Sequence, residues 1–485
     1  MKRVFLTGGT GNWGRHILHE LAGRFQVVAL VLPGQQLAAI PDVEVVHGDL
    51  TDYETVERCV RGADFVLHVG AVVSPFADDH PELAHKVNVG SARNIVNAVR
   101  AQPDPGAIGV VMVGSVAETG DRNPPHHWGR VGDPLRVSHF DEYGQTKVIA
   151  EKVLVDSGLP KWAWLRQTGI FHPGMLQIRD PIMTHSPFAG VMEWVSAEDA
   201  ARLMANICED DVPAEFWGGI YNIGGGDAWR LTNWELQLRI SAALGVRDVR
   251  TWYDRNWFAT RNFHGQWYTD SDRLHALVPF RQDTFEQALS RAVAANPGLA
   301  RAGRVPGWLV KHLVIKPLTR KPRGTMAFLR DRDEEKINAY FGSREQWAAI
   351  GDWSTFVPPE PDRTPALLDH GYDEAKDPAE WDSTDMRQVA DFRGGRLLSD
   401  TVGRGDIANP LQWQCAEGHA FHGSPRLILT GGHWCPRCVR DTAGYTRQAR
   451  QNRFLGQLFT ALPEPRQSQL SRDGHRHSSG RCAAQ

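Results

Sequence analysis

No stretch of this 485-residue chain approaches the roughly eighteen uninterrupted apolar residues that a membrane-crossing helix requires. A membrane span is therefore not expected, and neither is a membrane partner. The opening Met1-Lys2-Arg3-Val4-Phe5-Leu6 starts a strand pattern at once. That leaves no space for a cleaved secretory leader and makes the cytoplasm the expected compartment. An excess of one charge is also lacking: a net charge of -3 argues against a nucleic-acid footprint over the whole surface. Cysteine is scarce, six in all. Cys59 and Cys208 fall inside apolar stretches and Cys482 stands alone, whereas Cys415, Cys435 and Cys438 crowd together. This grouping excludes a disulfide framework and points to a metal site. There is no internal repeat. The remaining composition, 41% hydrophobic and 23% charged, is that of a globular protein, and the length calls for two or three domains.

From residue 1 to about 170, short apolar runs alternate with segments of helical periodicity, as in a doubly wound, Rossmann-like parallel α/β sheet. The strand candidates are Arg3–Leu6, Val27–Val31, Val43–His47, Phe65–Val69, Val110–Val113 and Trp162–Arg166, and Asn88–Arg100 carries the helical spacing. Residues 171–295 are irregular and aromatic-rich, with helices expected at Ala197–Cys208 and Trp234–Leu244 and a strand at Ile220–Ile223; they read as a small substrate lobe completing a catalytic unit over 1–295. Residues 296–409 read as a connecting region. Its first part, 301–332, is basic, and Val357–Pro365 (VPPEPDRTP) holds too many prolines for a helix or central strand. A compact Cys/His module follows at 410–442, then a tail over 443–485 expected to be partly disordered.

Thr7-Gly8-Gly9-Thr10-Gly11-Asn12-Trp13-Gly14 follows the first strand and opens a helix. In that setting Gly8 allows a tight turn, Gly11 lets backbone approach a pyrophosphate, and Gly14 permits close packing of the helix. The helix N-terminus offers N–H groups to the phosphates, so the loop, including Thr10, Asn12 and Trp13, is assigned to a dinucleotide. The dinucleotide is read as NADP or NAD. The segment after the second strand, Ala29–Gly34, has neither the acid that would bind a ribose hydroxyl nor an arginine for a 2′-phosphate. Arg15, just past the loop, is placed to reach a 2′-phosphate and tilts the reading toward NADP.

Tyr143-Gly144-Gln145-Thr146-Lys147 sets a phenol and an ammonium on one helix face. A nearby cation favours phenolate, bringing tyrosine toward the range of a general acid/base. Ser115 ends an apolar strand, where a parallel sheet presents its ligand-facing residues. Taken together, TGGTGNWG, HGDLTD, LHVGA, KVNVGSARNIV, VGSVAETG, YGQTK, LRQTGIFHPG, EDAARL and YNIGGG resemble the extended short-chain dehydrogenase/reductases, the NAD-dependent epimerase/dehydratase family, in order through about residue 290. The resemblance implies Tyr143 as acid/base, Lys147 holding the nicotinamide ribose, Ser115 orienting the reacting oxygen, and Asn88 supporting the lysine or a proton-relay water. It also implies Asp49 and Leu50 beside the adenine, and Gly70 and Ala71 along the cofactor. From sequence alone, Asn88 reads equally as a helix cap. Sugar dehydratases of the family carry Thr-Asp-Glu at the serine, and Ser115-Val116-Ala117 does not, which disfavours dehydration.

The expected reaction is hydride transfer between nicotinamide and a carbonyl/alcohol carbon of a small molecule. Trp252, Tyr253, Trp257, Phe258, Phe263, His264, Trp267 and Tyr268 suit an apolar or ring-bearing substrate. The alternatives are a nucleotide-sugar epimerase and a non-catalytic cofactor sensor acting through the Cys/His module. Family members are often homodimers. Cys415, His419, Cys435 and Cys438 resemble a zinc ribbon of the type C-x3-H…C-x2-C. Four protein ligands would leave no position for water and make the zinc structural. Such modules bind nucleic acid, protein partners, or neither, and the basic stretch could assist an anionic partner.

Overall fold

The apolar runs between the helical segments become the strands of one sheet. In this computed structural model, which describes residues 1–177 and 180–459, seven strands are parallel: β1 (Arg3–Thr7), β2 (Gln26–Val31), β3 (Val43–His47), β4 (Phe65–His68), β5 (Gly109–Ser115), β6 (Trp162–Gln167) and β7 (Gly219–Ile223). Their spatial order is β7-β6-β5-β4-β1-β2-β3. The order reverses between β1 and β4, so the carboxyl ends of these strands open a crevice, the position at which such sheets take ligands. β5 is buried along its whole length, which is why Val110–Val113 reads as a continuous apolar run.

Helices cover both faces. Asn12–Leu21 and Ala197–Asn206 pack on one side, through Ile17, Leu18, Leu203 and Met204. Tyr53–Val60, Gly90–Arg100 and Glu142–Val155 pack on the other, through Val56, Ile95, Val99 and Leu154. A π-helical turn, His85–Val89, runs into Gly90–Arg100. Helical backbone therefore begins upstream of Asn88, which is inside the run and is not its cap.

The second lobe is larger than its sequence suggested. Phe171, Trp229, Trp234, Phe258 and Phe285 form its core, and Ile315, from the expected connecting region, is buried among them. Val310, Met326, Trp353 and Phe356 pack against the same core, and Phe328, Ile337 and Phe341 add a satellite around Ala259. Ile315, Leu318, Phe328 and Leu329 pack inward between the basic side chains, so residues 299–356 complete the lobe. Residues 357–365 have no regular element, in keeping with their prolines. They are strapped down: the Asp362 carbonyl accepts from His127 and Trp128.

The Cys/His segment sits inside a broader unit. A three-stranded sheet (Arg396–Leu397, Leu411–Gln414, Ala420–Gly423) packs with the helix Ser383–Phe392 around Trp381, Met386, Val389, Trp413 and Ile428. A segment of about thirty residues has too little core of its own, and the added helix supplies it. Leu427 enters the core beneath Glu142–Val155, fixing this unit to the main sheet. Among the described residues no helix is long and apolar enough to cross a membrane. Cys482 and the tail after about residue 463 lie outside the described residues.

Candidate active site and metal centre

β1 ends at Thr7 and the chain turns through Gly8, whose φ is +79° and where a Cβ would stand 2.7 Å from the Gly70 nitrogen. A Cβ on Gly14 would collide with the Gly8 carbonyl oxygen. The turn thus tolerates only hydrogen at both positions. Gly11 caps Asn12–Leu21 without a side chain, leaving first-turn N–H groups to a ligand. Thr7 Oγ1 accepts from the N–H groups of Val69 (3.1 Å) and Gly70 (3.0 Å), tying β1 to the exit of β4.

A groove of about 920 Å³ follows the strand ends. Gly8, Thr10, Gly11, Asn12, Trp13 and Gly14 line one end, Asp49, Leu50, Gly70 and Ala71 the flank, and Ser115, Tyr143 and Lys147 the other end. Two of the expected residues are elsewhere. Arg15 is exposed on the outer side of its helix and does not line the groove. Asn88 is buried behind it, exchanging hydrogen bonds with the Val72 backbone (2.8 and 2.9 Å) and donating to the Thr146 hydroxyl (2.9 Å). It pins the loop after β4 to the Tyr143 helix and bonds neither Lys147 nor Tyr143.

The reactive end is built on two elements. Ser115 closes β5 and starts a 3-10 turn, its N–H donating to Glu118 Oε1 (2.8 Å) and its Oγ accepting from Ala117 (3.1 Å). Glu142–Val155 carries Tyr143 and Lys147 and is capped by Asp141, whose carboxylate accepts from Gly144 (2.8 Å). Lys147 Nζ donates to the Val113 carbonyl (2.7 Å) and lies 5.7 Å from the Tyr143 ring centroid. Burial brings the Lys147 ammonium down to about 8, against the pull of Glu118. Burial also raises the Tyr143 phenol above its ordinary value, while the hydrogen bond with Ser115 opposes that rise. In the protein alone, burial is the larger influence on the phenol.

Sequence reasoning missed several groove residues. Gln35, one residue past Ala29–Gly34, lines the groove and accepts from Thr10 Oγ1 (2.7 Å). Ile182, Phe263 and His264 line both the groove and a second cavity of about 350 Å³, whose walls include Met175, Met183, Met192, Trp194 and Trp252. His264 Nδ1 stands 3.4 Å from Asp141 Oδ2. Of the aromatic cluster read from the sequence, Trp252, Tyr253, Phe263 and His264 line this cavity, whereas Trp257, Phe258, Trp267 and Tyr268 are core. The methionines come from irregular segments with no periodicity to reveal them.

Behind the site is a buried charged chain. Arg166 on β6 donates to both oxygens of Glu151 (2.9 and 2.7 Å) and lies 3.5 Å from Glu118 Oε2. Burial and the neighbouring Glu151 push the Glu118 carboxyl well above its usual range. Burial acts on Glu151 too, but Arg166 outweighs it and keeps that carboxylate ionised. From the C-terminal unit, His433 Nε2 reaches Glu151 Oε1 (3.0 Å), and the Gly431 carbonyl accepts from Arg166 (2.7 Å).

Cys415, His419, Cys435 and Cys438 come together with all four ligand atoms within 4.8 Å of one another. Cys415 and Cys438 sulfurs are 3.7 Å apart, and His419 Nδ1 is 3.6 Å from Cys435 and 3.5 Å from Cys438. A tetrahedral ion with bonds of ~2.3 Å to sulfur and ~2.0 Å to nitrogen sets its ligands about 3.5–3.8 Å apart. The charge balance also fits. Three thiolates around a divalent ion leave one net negative charge, and Arg393, fully buried, lines the same cavity as Cys415, Cys435 and Cys438 with Nε and one terminal nitrogen unpartnered.

Similarity to known proteins follows this geometry. A family model described as NAD(P)H-binding matches residues 8–211. Mus musculus 3 beta-hydroxysteroid dehydrogenase type 7 is 29% identical over 194 residues, 36% of this chain and 52% of that protein. The 3 beta-hydroxysteroid dehydrogenase/Delta 5-->4-isomerase of Mycobacterium tuberculosis (strain CDC 1551 / Oshkosh) is 29% identical over 170 residues, 32% of this chain and 43% of that protein. This chain therefore spans about half the length of the curated relatives it matches. A solved UDP-glucose 4-epimerase of Thermus thermophilus, in complex with NAD, has 21% identity and a TM-score of 0.48, covering 61% of this chain and 99% of its own. The matched residues hold the glycine loop, Ser115, Tyr143 and Lys147, so this stretch of the chain is similar to NAD(P)H-binding dehydrogenases.

Proposed function

We propose that this chain is an NAD-dependent oxidoreductase acting on an apolar, ring-bearing alcohol or ketone. The observation that carries this reading is adjacency: the groove ending at Tyr143 shares Ile182, Phe263 and His264 with the methionine- and tryptophan-walled cavity. When bound, nicotinamide would supply or accept the hydride at the substrate carbon. Tyr143 exchanges the proton of the substrate oxygen, and its protonated form, favoured by burial, is the donor needed for ketone reduction. Ser115 hydrogen-bonds that oxygen as charge develops on it. Lys147 keeps a cation beside the phenol.

NAD is preferred over NADP because, among the described residues, the groove lining includes no arginine and Gln35 is a neutral partner for a ribose hydroxyl. An epimerase acting on a nucleotide-sugar would need cations for the diphosphate, yet among the described residues no Lys or Arg lines the second cavity. The Cys/His site is assigned to a structural zinc with four protein ligands. The test is Tyr143→Phe, assayed with NADH against a panel of polycyclic ketones. Turnover should fall roughly 10²–10⁴-fold while NADH affinity is retained, and a phenylalanine variant with normal turnover would end this reading.

A further inference from the structure

Residues 299–323 contain Arg301, Arg304, Lys311, Lys316, Arg320, Lys321 and Arg323 and not one acid, in a chain whose net charge is -3. Lys311 is paired with Asp254, and Arg323 with Asp79 and Asp180. Arg301, Arg304, Arg320 and Lys321 are exposed. The same segment holds apolar side chains out in water: Trp308 is 61% exposed and Leu313 71%, with Val305 and Val314 exposed beside them. They project from a helical run, Gly307–Val310, Lys311–Ile315 and Lys316–Thr319, whose inner side is fixed by buried Ile315 and Leu318. The apolar residues are thus a surface feature of an anchored element.

Each ligand class can be weighed against this pairing. A nucleic acid would use the cations but has no place for Leu313 and Val314. A second protein surface would use the apolar residues but would centre on unpaired cations, which interface cores avoid. A lipid surface with anionic headgroups takes both, the apolar side chains entering the acyl boundary, tryptophan resting at headgroup level, and Lys and Arg meeting phosphates. We propose that the 299–323 segment docks this protein on an anionic membrane surface, as a peripheral contact and not a span.

The docking face adjoins the apolar cavity. Gly303 N donates to the Leu244 carbonyl (3.0 Å), Leu244 lines that cavity, and Gly307 abuts Thr251 between the cavity-lining residues Val249 and Trp252. A substrate dissolved in lipid would then meet the cavity wall from the docked side. That use rests on the oxidoreductase reading; the docking does not.

The experiment is co-sedimentation of the full-length protein with phosphatidylcholine vesicles, with and without phosphatidylglycerol. The protein should pellet with the anionic vesicles and be released by salt. Arg320→Gln/Lys321→Gln should weaken binding about twenty-five-fold, at roughly five-fold per cation, and Trp308→Ser/Leu313→Ser at least about ten-fold. All four positions are exposed, so an unchanged thermal midpoint would verify folding. Failure to pellet, or equal pelleting of the variants, would overturn the proposal. So would tighter binding to a DNA duplex than to vesicles, or a dimer lost in Trp308→Ser/Leu313→Ser without any vesicle binding. No substrate or cofactor is present, so a negative result leaves the oxidoreductase reading intact, and inactivity on ketones leaves the docking intact.

Discussion

On the proposed NAD reading, Gln35, which lines the groove beside Thr10, meets the adenine-side ribose and cofactor choice turns on it. Gln35→Arg should improve NADPH affinity about ten-fold, the worth of a charge-assisted hydrogen bond to the 2′-phosphate; fluorescence titration with NADH and NADPH measures it. Glu118 and Arg166 make a second pair of contrasting expectations. Burial beside Glu151 favours the neutral form of Glu118, so Glu118→Gln should change stability by only about 1 kcal/mol. Arg166→Met strands Glu151 beside a second acid and should cost ~3–5 kcal/mol in a urea melt. Equal losses in the two variants would contradict the protonation assigned here. At this scale the glycine loop was legible because each glycine is dictated by backbone a few residues away. Asn88 was not, since its partners Val72 and Thr146 reach it only through the fold. The Glu118–Arg166–Glu151 chain was hidden for the same reason: nothing in three scattered polar letters reveals burial.

The strands were the most legible elements. A parallel sheet covered on both faces demands unbroken apolar runs, and Val110–Val113 could be little else. The basic stretch is hard to read as part of the lobe because its few inward residues, Ile315 and Leu318, are scattered among charged and exposed apolar ones. The helix bearing Tyr143 shows what periodicity omits, namely the acids gathered at its start. Asp141 caps it, and Asp78 accepts from the Glu142 N–H (3.1 Å) and the Ser74 hydroxyl (3.0 Å). Burial, with Asp141 adding to it, raises Asp78 to about 7. Between about pH 4, where an unfolded aspartate ionises, and pH 7, the native state keeps a proton that the unfolded chain has released. Stability contributed by this group must therefore fall as pH rises through that window. Asp78→Asn should flatten the decline, and thermal melts of both proteins from pH 4 to 8 would show it; parallel curves would refute the assignment.

In the whole molecule, the C-terminal unit is a structural partner of the helix Glu142–Val155. Sequence spacing picked out the four Cys/His residues that come together but could not show where the unit packs. Removing the metal with a chelator should lower the thermal midpoint of the full chain, and Cys435→Ser should purify with less zinc by elemental analysis. An unchanged midpoint after verified metal loss would mean that the unit folds without it. The contact of His433 with Glu151 also bears on how the protein is made. The ribosome completes the seven-stranded sheet long before residue 433 emerges, so the newborn sheet must wait with Glu151 and Arg166 uncovered. A nascent chain that stalls before residue 431 leaves Glu151 and Arg166 without two of their partners, a mark by which such copies can be told from those that have passed it.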